Sequence, residues 1–247
     1  MKIFGLLGHP LTHSFSRGYF MNKFSNEHID AEYLNFDLPD LNSFPELFDS
    51  YPELIGMNVT IPYKEKVIRF LDHLDPGARE IGAVNVIKVE NRDGMRCLVG
   101  YNSDVVGFEN SIKPLLNSSH QHALVLGTGG ASKAVVYALH KLGITTQYVS
   151  RYPAEGVLSY EMLTPEIIRR HSVIVNTTPL GMFPHVNEKP SFPYEGITAL
   201  HICFDLIYNP AETAFLRTAK EYGACIKNGA EMLEGQAVEA WRIWNQD

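Results

Sequence analysis

The sequence predicts an α/β chain of two domains, with a mixed sheet in the first and a doubly wound, mostly parallel sheet in the second. Three observations carry that prediction. Short apolar runs alternate with segments of helical periodicity along most of the chain. In the first half, two strand-like runs meet at Asn91-Arg-Asp-Gly94, where Asp-Gly tolerates hairpin dihedrals, so part of that sheet is antiparallel. In the second half, Leu124-Val-Leu-Gly-Thr-Gly-Gly-Ala-Ser132 sets a glycine-rich turn between a strand and a helix.

Taken in order, Lys2 to Gly8 reads as a strand and is followed by the polar turn His9-Pro-Leu-Thr-His-Ser14 and a helix through Phe24. Strands follow at Ala31 to Phe36 and Leu54 to Val59, with a short helix over 40–51 interrupted near Pro45 and helical periodicity from Tyr63 to Leu74. Ala83 to Val89 and Arg96 to Tyr101 form the hairpin, and Asp104 opens a helix to about Leu116. The second half then reads as strand 123–126, helix 132–142, strand 146–150, helix 164–171 and strand 172–176. After a Pro- and Gly-rich loop over 177–198 come strand 201–206, a helix from Asn209 or Pro210 to about Tyr222, strand 224–227 and a final helix 230–244.

A length of 247 residues suits two domains, and 45% hydrophobic with 20% charged residues is globular composition. The absence of a long apolar run or signal-peptide pattern predicts a cytoplasmic chain with no membrane partner. Cys97, Cys203 and Cys225 are odd in number and widely spaced, so they read as reduced core or near-core residues. A net charge of −7 without a basic stripe argues against nucleic acid as a ligand. His9 and His13 lack an acidic or cysteine partner in the sequence, so no metal site is expected.

Chemistry enters at the glycine turn. Gly127, Gly129 and Gly130 permit a tight turn and close backbone approach, and the helix from Ser132 presents amino-terminal N–H groups to a pyrophosphate. This makes the second domain Rossmann-like and dinucleotide-binding. The next strand ends in Ser150-Arg151, with no carboxylate for a ribose diol, so Arg151 points to the 2′-phosphate of NADP. Lys64 follows Asn58-Val-Thr-Ile-Pro-Tyr63 and Asp104 begins a helix after Gly100-Tyr-Asn-Ser103; if they converge, the pair can transfer a proton and stabilise charge at a carbonyl. Read alone, Lys64 is a solvent-facing lysine, Asp104, Ser14 and Ser16 are helix caps, and Asn85 satisfies a turn.

Across nearly its whole length the chain resembles the shikimate dehydrogenase family. The matching segments are Gly8-His-Pro-Leu-Thr-His-Ser-Phe-Ser16, Asn58-Val-Thr-Ile-Pro-Tyr-Lys64, Gly82-Ala-Val-Asn85, Gly100-Tyr-Asn-Ser-Asp104, Gly127-Thr-Gly-Gly-Ala-Ser132, Asn176-Thr-Thr-Pro-Leu-Gly-Met182, Asp205-Leu-Ile-Tyr-Asn-Pro210 and Asn228-Gly-Ala-Glu-Met-Leu-Glu-Gly-Gln236. The resemblance implies Lys64 and Asp104 as catalytic residues, and Ser14, Ser16, Thr60, Asn85, Tyr208 and Gln236 as further substrate contacts. It implies NADP on Gly127, Thr128, Gly129, Gly130, Ala131, Ser132, Ser150, Arg151, Thr177, Leu206, Gly229 and Met232. It also implies a substrate-binding catalytic domain over 1–103 with 229–247, and an NADP-binding domain over 104–228.

The implied reaction is reversible reduction of 3-dehydroshikimate to shikimate, in aromatic amino-acid precursor biosynthesis, by a monomer or homodimer. Glu155 stands where the family's NADP-binding members carry a second Arg, which removes one phosphate clamp; the alternative is a quinate/shikimate dehydrogenase with relaxed substrate use or NAD preference. A nucleotide-responsive binding protein without turnover is the other reading, and retention of Lys64 and Asp104 weighs against it.

Overall fold

A computed structural model describes residues 1–11, 14–152 and 154–246. The chain divides into two compact units, Met1–Ser103 with Ala237–Asp247, and Asp104–Gln236.

In the first unit, strands β1 (Lys2–Gly8), β2 (Ala31–Asp37), β3 (Leu54–Val59), β4 (His73–Leu74), β5 (Val86–Arg92) and β6 (Met95–Tyr101) lie in the order β2-β1-β3-β5-β6-β4. β1 pairs in parallel with β2 and β3, whereas β5 runs antiparallel to β3 and β6. The sheet is therefore mixed. Successive side chains of a strand point to opposite faces, and the core follows that alternation. Leu7, Met57 and Ile87 pack with Phe44 on one face, whereas Phe4, Leu6 and Val86 pack with Phe20, Tyr33 and Trp244 on the other. Trp244 also donates its indole N–H to the Ile87 carbonyl at 3.0 Å, which makes it a packing residue with its polar atom satisfied.

In this unit one expected helix is lost and one helix forms that the sequence did not predict. The helix expected over 63–74 is a 3-10 turn, Lys66–Phe70, followed by β4. The Asp72 carboxylate accepts the Leu98 N–H at 2.7 Å and the Asp72 N–H donates to the Leu98 carbonyl at 3.0 Å, which ties the chain to β6 and stops a helix. The short helix expected over 40–51 with an interruption near Pro45 is a 3-10 turn, Leu41–Ser43, and the single turn α2 (Leu47–Ser50), with the break falling at Pro45 as expected. An unexpected helix, α3 (Pro76–Ile81), starts where Asp75 accepts the Gly77 N–H and Pro76 takes the first turn. The first helix, α1 (Phe15–Asn26), runs slightly past its expected end.

In the second unit β7 (His122–Leu126), β8 (Thr145–Ser150), β9 (Val157–Ser159), β10 (Val173–Asn176), β11 (Ile202–Asp205) and β12 (Cys225–Lys227) lie in the order β12-β11-β10-β7-β8-β9. All pair in parallel among the described residues. Strand order reverses between β7 and β10, the place where doubly wound sheets open a crevice for a ligand. The helices are α4 (Asp104–Ile112), α5 (Gly130–Lys141), α6 (Pro165–Arg170), α7 (Ala214–Glu221) and α8 (Ala230–Trp244), of which the residues from Ala237 on belong to the first unit.

Here α4 stops at Ile112, giving way to a 3-10 turn through Pro114, because proline cannot continue the helical ladder. Helix α7 starts at Ala214 and not at Asn209 or Pro210, since Thr213 caps it by accepting the Leu216 N–H. The short strand β9 has no counterpart in the apolar pattern. Cys97 and Cys203 are buried, but Cys225 is exposed on the edge strand β12, which corrects its expected near-core placement.

Candidate functional site

The carboxyl ends of β1, β3 and β6 and the amino end of the antiparallel β5 share one edge of the first sheet. Three of the expected residues collect there. The Val59 N–H donates to the Asn85 carbonyl at 2.8 Å, the Val84 N–H to the Lys64 carbonyl at 2.7 Å, and the Thr60 N–H to the Leu7 carbonyl at 2.8 Å. Thr60, Lys64 and Asn85 are thus held together by backbone bonds between segments far apart in sequence. The Asn85 amide is fixed by Ser103, whose N–H donates to Oδ1 at 2.7 Å and whose hydroxyl accepts from Nδ2 at 3.0 Å. Lys64 is half-buried, which suits a cation that must reach solvent-delivered substrate while keeping a defined stem. Ser14 caps α1 by accepting the Arg17 N–H at 3.0 Å, and Ser16 is buried in that helix.

Asp104 and Gln236 belong to the second unit, where α4 crosses α8 at close range. A Cβ on Gly107 would run into the Met232 carbonyl and stand 2.9 Å from the Gln236 N, and one on Gly235 would stand 3.2 Å from the Gly107 Cα. Glycine at the crossing therefore brings the first turn of α4, with Asp104, against the turn of α8 that carries Gln236. Asp104 is 6% exposed and Gln236 7% exposed, so both polar groups sit in sheltered positions.

The glycine turn follows β7. Gly127 has φ +111°, and a Cβ there would stand 2.6 Å from the Thr177 Oγ1, so both conformation and space demand glycine. Thr177 in turn donates its hydroxyl to the Leu126 carbonyl at 2.7 Å, locking the end of β10 to the turn. Gly129 caps α5 with no side-chain hydrogen bond and faces open space, while Thr128 is exposed. This leaves backbone donors at the start of a helix, a cradle that fits a pyrophosphate. The buried Ser132 hydroxyl donates to the Gly129 carbonyl at 2.6 Å, so its side chain braces the turn. Ser150 similarly accepts the Tyr152 N–H at 3.1 Å, and Arg151 is exposed at the end of β8. A cavity of about 630 Å³ opens beside Arg151, lined also by Tyr160, Leu163, Leu180, Lys189 and Phe192. Met232 is buried, and the Gly229 N–H donates to the Ile207 carbonyl at 3.0 Å, fixing the Leu206–Tyr208 segment.

Sequence reasoning missed the group that organises this end of the sheet. Asp205 is fully buried and accepts from Asn176 Nδ2 at 3.1 Å, the Ile207 N–H at 3.0 Å and the Thr213 hydroxyl at 2.6 Å. Asn176 Oδ1 accepts from the Thr178 N–H and hydroxyl at 3.1 and 2.7 Å. The network joins the loops after β10 and β11 to the cap of α7. Burial pushes the Asp205 carboxyl up to about 6 against the partial opposition of those donors. The folded state therefore binds this proton more tightly than the unfolded chain, and stability from this group is lost as pH rises from about 4 through about 6. Asp205→Asn mimics the protonated acid. Its stability relative to wild type is expected to rise by on the order of 2 kcal/mol between pH 4 and pH 8 in paired urea melts; a constant difference would remove the assignment.

His9 Nδ1 lies 2.6 Å from Asp37 Oδ1, an acidic partner invisible in the local sequence, while His13 lies outside the described residues. Among the described residues no group of three or more His, Cys, Asp or Glu is placed to hold a metal ion.

Residues 6–87 match the family described as shikimate dehydrogenase substrate binding domain. The NADP(+) shikimate dehydrogenase of Caldicellulosiruptor saccharolyticus is 36% identical, over 99% of this chain and 92% of that protein. The chain belongs to the shikimate dehydrogenase family. The crystal structure of shikimate dehydrogenase from Aquifex aeolicus superposes with a TM-score of 0.85 at 35% identity, covering 99% of this chain and 92% of that one. The Thermus thermophilus enzyme, solved in complex with NADP(H) and shikimate, superposes with a TM-score of 0.85 at 31% identity, covering 99% and 94%. Within this shikimate dehydrogenase fold, Lys64 stands at the sheet edge of the first unit and the glycine turn at the crevice of the second. Asn58, Ser103, Asn176 and Asp205 all lay inside recognised segments or beside them, yet only their tertiary partners single them out.

Proposed function

We propose that this chain catalyses the reversible NADP-dependent interconversion of 3-dehydroshikimate and shikimate. The observation that carries the reading is the gathering of Thr60, Lys64 and Asn85 at one sheet edge by direct backbone bonds, in a member of the shikimate dehydrogenase family. When bound, NADPH supplies the hydride for the ring carbonyl carbon. Lys64 holds a proton at the carbonyl oxygen and stabilises its developing charge, and Asp104 shares that proton work. In the reverse direction the pair assists removal of the hydroxyl proton. Ser14, Ser16, Thr60, Asn85, Tyr208 and Gln236 orient the carboxylate and hydroxyls of the substrate, where each missing partner leaves a buried polar group unpaired.

The backbone of Gly127 to Ser132 holds the pyrophosphate, with Thr177, Leu206, Gly229 and Met232 lining the nicotinamide end. Arg151 supports the 2′-phosphate, and the cavity beside it, of mixed polar and apolar lining, offers Tyr160, Leu163 and Phe192 as packing surface for the adenine. The compartment we propose is the cytoplasm. Among the described residues no helix is long and apolar enough to cross a membrane.

A four-way assay of shikimate or quinate with NADP⁺ or NAD⁺ tests this reading by the growth of reduced-nicotinamide absorbance. Shikimate with NADP⁺ is expected to give the highest kcat/KM; a folded protein that oxidises neither polyol overturns the assignment. In the same assay Arg151→Ala is expected to lower the NADP⁺ to NAD⁺ preference by about tenfold, as the loss of one charge-assisted phosphate contact implies. An unchanged ratio, checked by the Kd of each cofactor, removes Arg151 from that role.

A further inference from the structure

Tyr33 sits on β2 with no solvent exposure, its ring stacked on Phe20 of α1 at 5.0 Å between centroids and 12° between planes. Its surroundings are apolar, with Phe4, Phe24 and Trp244 in the same cluster. A phenylalanine would satisfy that packing. The hydroxyl adds a desolvation cost that only hydrogen bonds offset, so its partners indicate its purpose. It donates to Asn58 Oδ1 at 2.8 Å, and the Ser16 side chain is its other hydrogen-bonding neighbour. Burial holds the phenol well away from ionisation, so it remains a donor. Asn58, oriented by that bond, passes the constraint on: its Nδ2 donates to the Asn85 carbonyl at 3.4 Å, the same oxygen that receives the Val59 N–H at 2.8 Å.

We propose that Tyr33 is a positioning residue for substrate binding. One phenol is the common neighbour of α1, which carries Ser16, and of the β3 end, which carries Asn58 and leads into Thr60 and Lys64. Its ring sets the helix against the sheet, and its hydroxyl fixes the Asn58 amide and through it the Asn85 backbone. The inference rests on the proposed reading of Ser16 and Asn85 as substrate contacts.

Tyr33→Phe tests it, because the ring and its Phe20 stacking remain while the hydroxyl is lost. The KM for shikimate is expected to rise about five- to tenfold, the scale of one net buried hydrogen bond, while the KM for NADP⁺ stays within about twofold and the circular dichroism is retained. Asn58→Ala removes the same bond from its other end. The double variant is expected to be no worse than Asn58→Ala alone, since coupled partners are not additive. Ser16→Ala separates the two levels of the argument. If it raises the shikimate KM and Tyr33→Phe does not, the inference is overturned and the substrate reading stands. If Ser16→Ala has no effect on that KM, the substrate reading falls and the inference with it. Equal rises in both KM values for Tyr33→Phe indicate a merely structural role and also overturn it. Should Tyr33→Phe fail to fold, an unchanged shikimate KM in Asn58→Ala is sufficient to reject it.

Discussion

Lys64→Ala is expected to lower kcat for shikimate oxidation by about 10²- to 10⁴-fold, the range for loss of a positioned proton-transfer group. Lys64 projects from a turn whose backbone bonds, including the one from Val84 to the Lys64 carbonyl, involve no side-chain atom of the lysine. Those backbone bonds survive the substitution, so the fold read by circular dichroism is expected to be retained. Asp104→Asn is expected to act in the same range while keeping the shape of a group that is 6% exposed. Stopped-flow single turnovers would separate chemistry from product release. If both variants retain more than about a tenth of wild-type kcat in that experiment, well below the expected loss, neither residue performs the assigned proton work.

Gly107→Ala is expected to have the second largest effect, and on both stability and activity. The added methyl would meet the Met232 carbonyl and the Gln236 N, which are helix backbone atoms and cannot swing aside like a flexible side chain. Helix α4 must move off α8, at an overpacking cost of about 1–3 kcal/mol. For a chain of this size each kcal/mol corresponds to a fall of roughly 2–4 °C in Tm. The shift also moves Asp104 relative to Gln236, and misplacement by about 1 Å can cost on the order of 10²-fold in rate. Gly18→Ala provides the contrast. Gly18 lies inside α1, and a methyl added there would find no atom within 4 Å, so alanine is expected to stabilise by about 0.5–1 kcal/mol. A Gly107→Ala protein with wild-type Tm and kcat/KM would show that the crossing tolerates separation.

Much of the fold was legible because its signals are local. The apolar runs of β1 and β3 and the amphipathic repeat of α8 end where expected, since side-chain periodicity and helix caps act over a few residues. The glycine turn was legible for the same reason: positive φ at Gly127 and an uncapped helix start are properties of a short segment. The stretch after Tyr63 misled for the converse reason. Its helical spacing is real, but the bonds between Asp72 and Leu98 come from a strand 26 residues away and outweigh it.

The candidate site divides in the same way. Sequence alone supplied the chemical types, a lysine and an aspartate beside family-like turns, and the cofactor cradle. Only the tertiary structure decided their neighbours: Thr60, Lys64 and Asn85 at one sheet edge, Asp104 against the Gln236 turn, Tyr33 on Asn58, and Asp205 at the junction of two loops and a helix cap. Those pairings depend on strand register and helix crossing, which are fixed by how whole faces bury their apolar area, and no residue's immediate neighbours in the chain encode them.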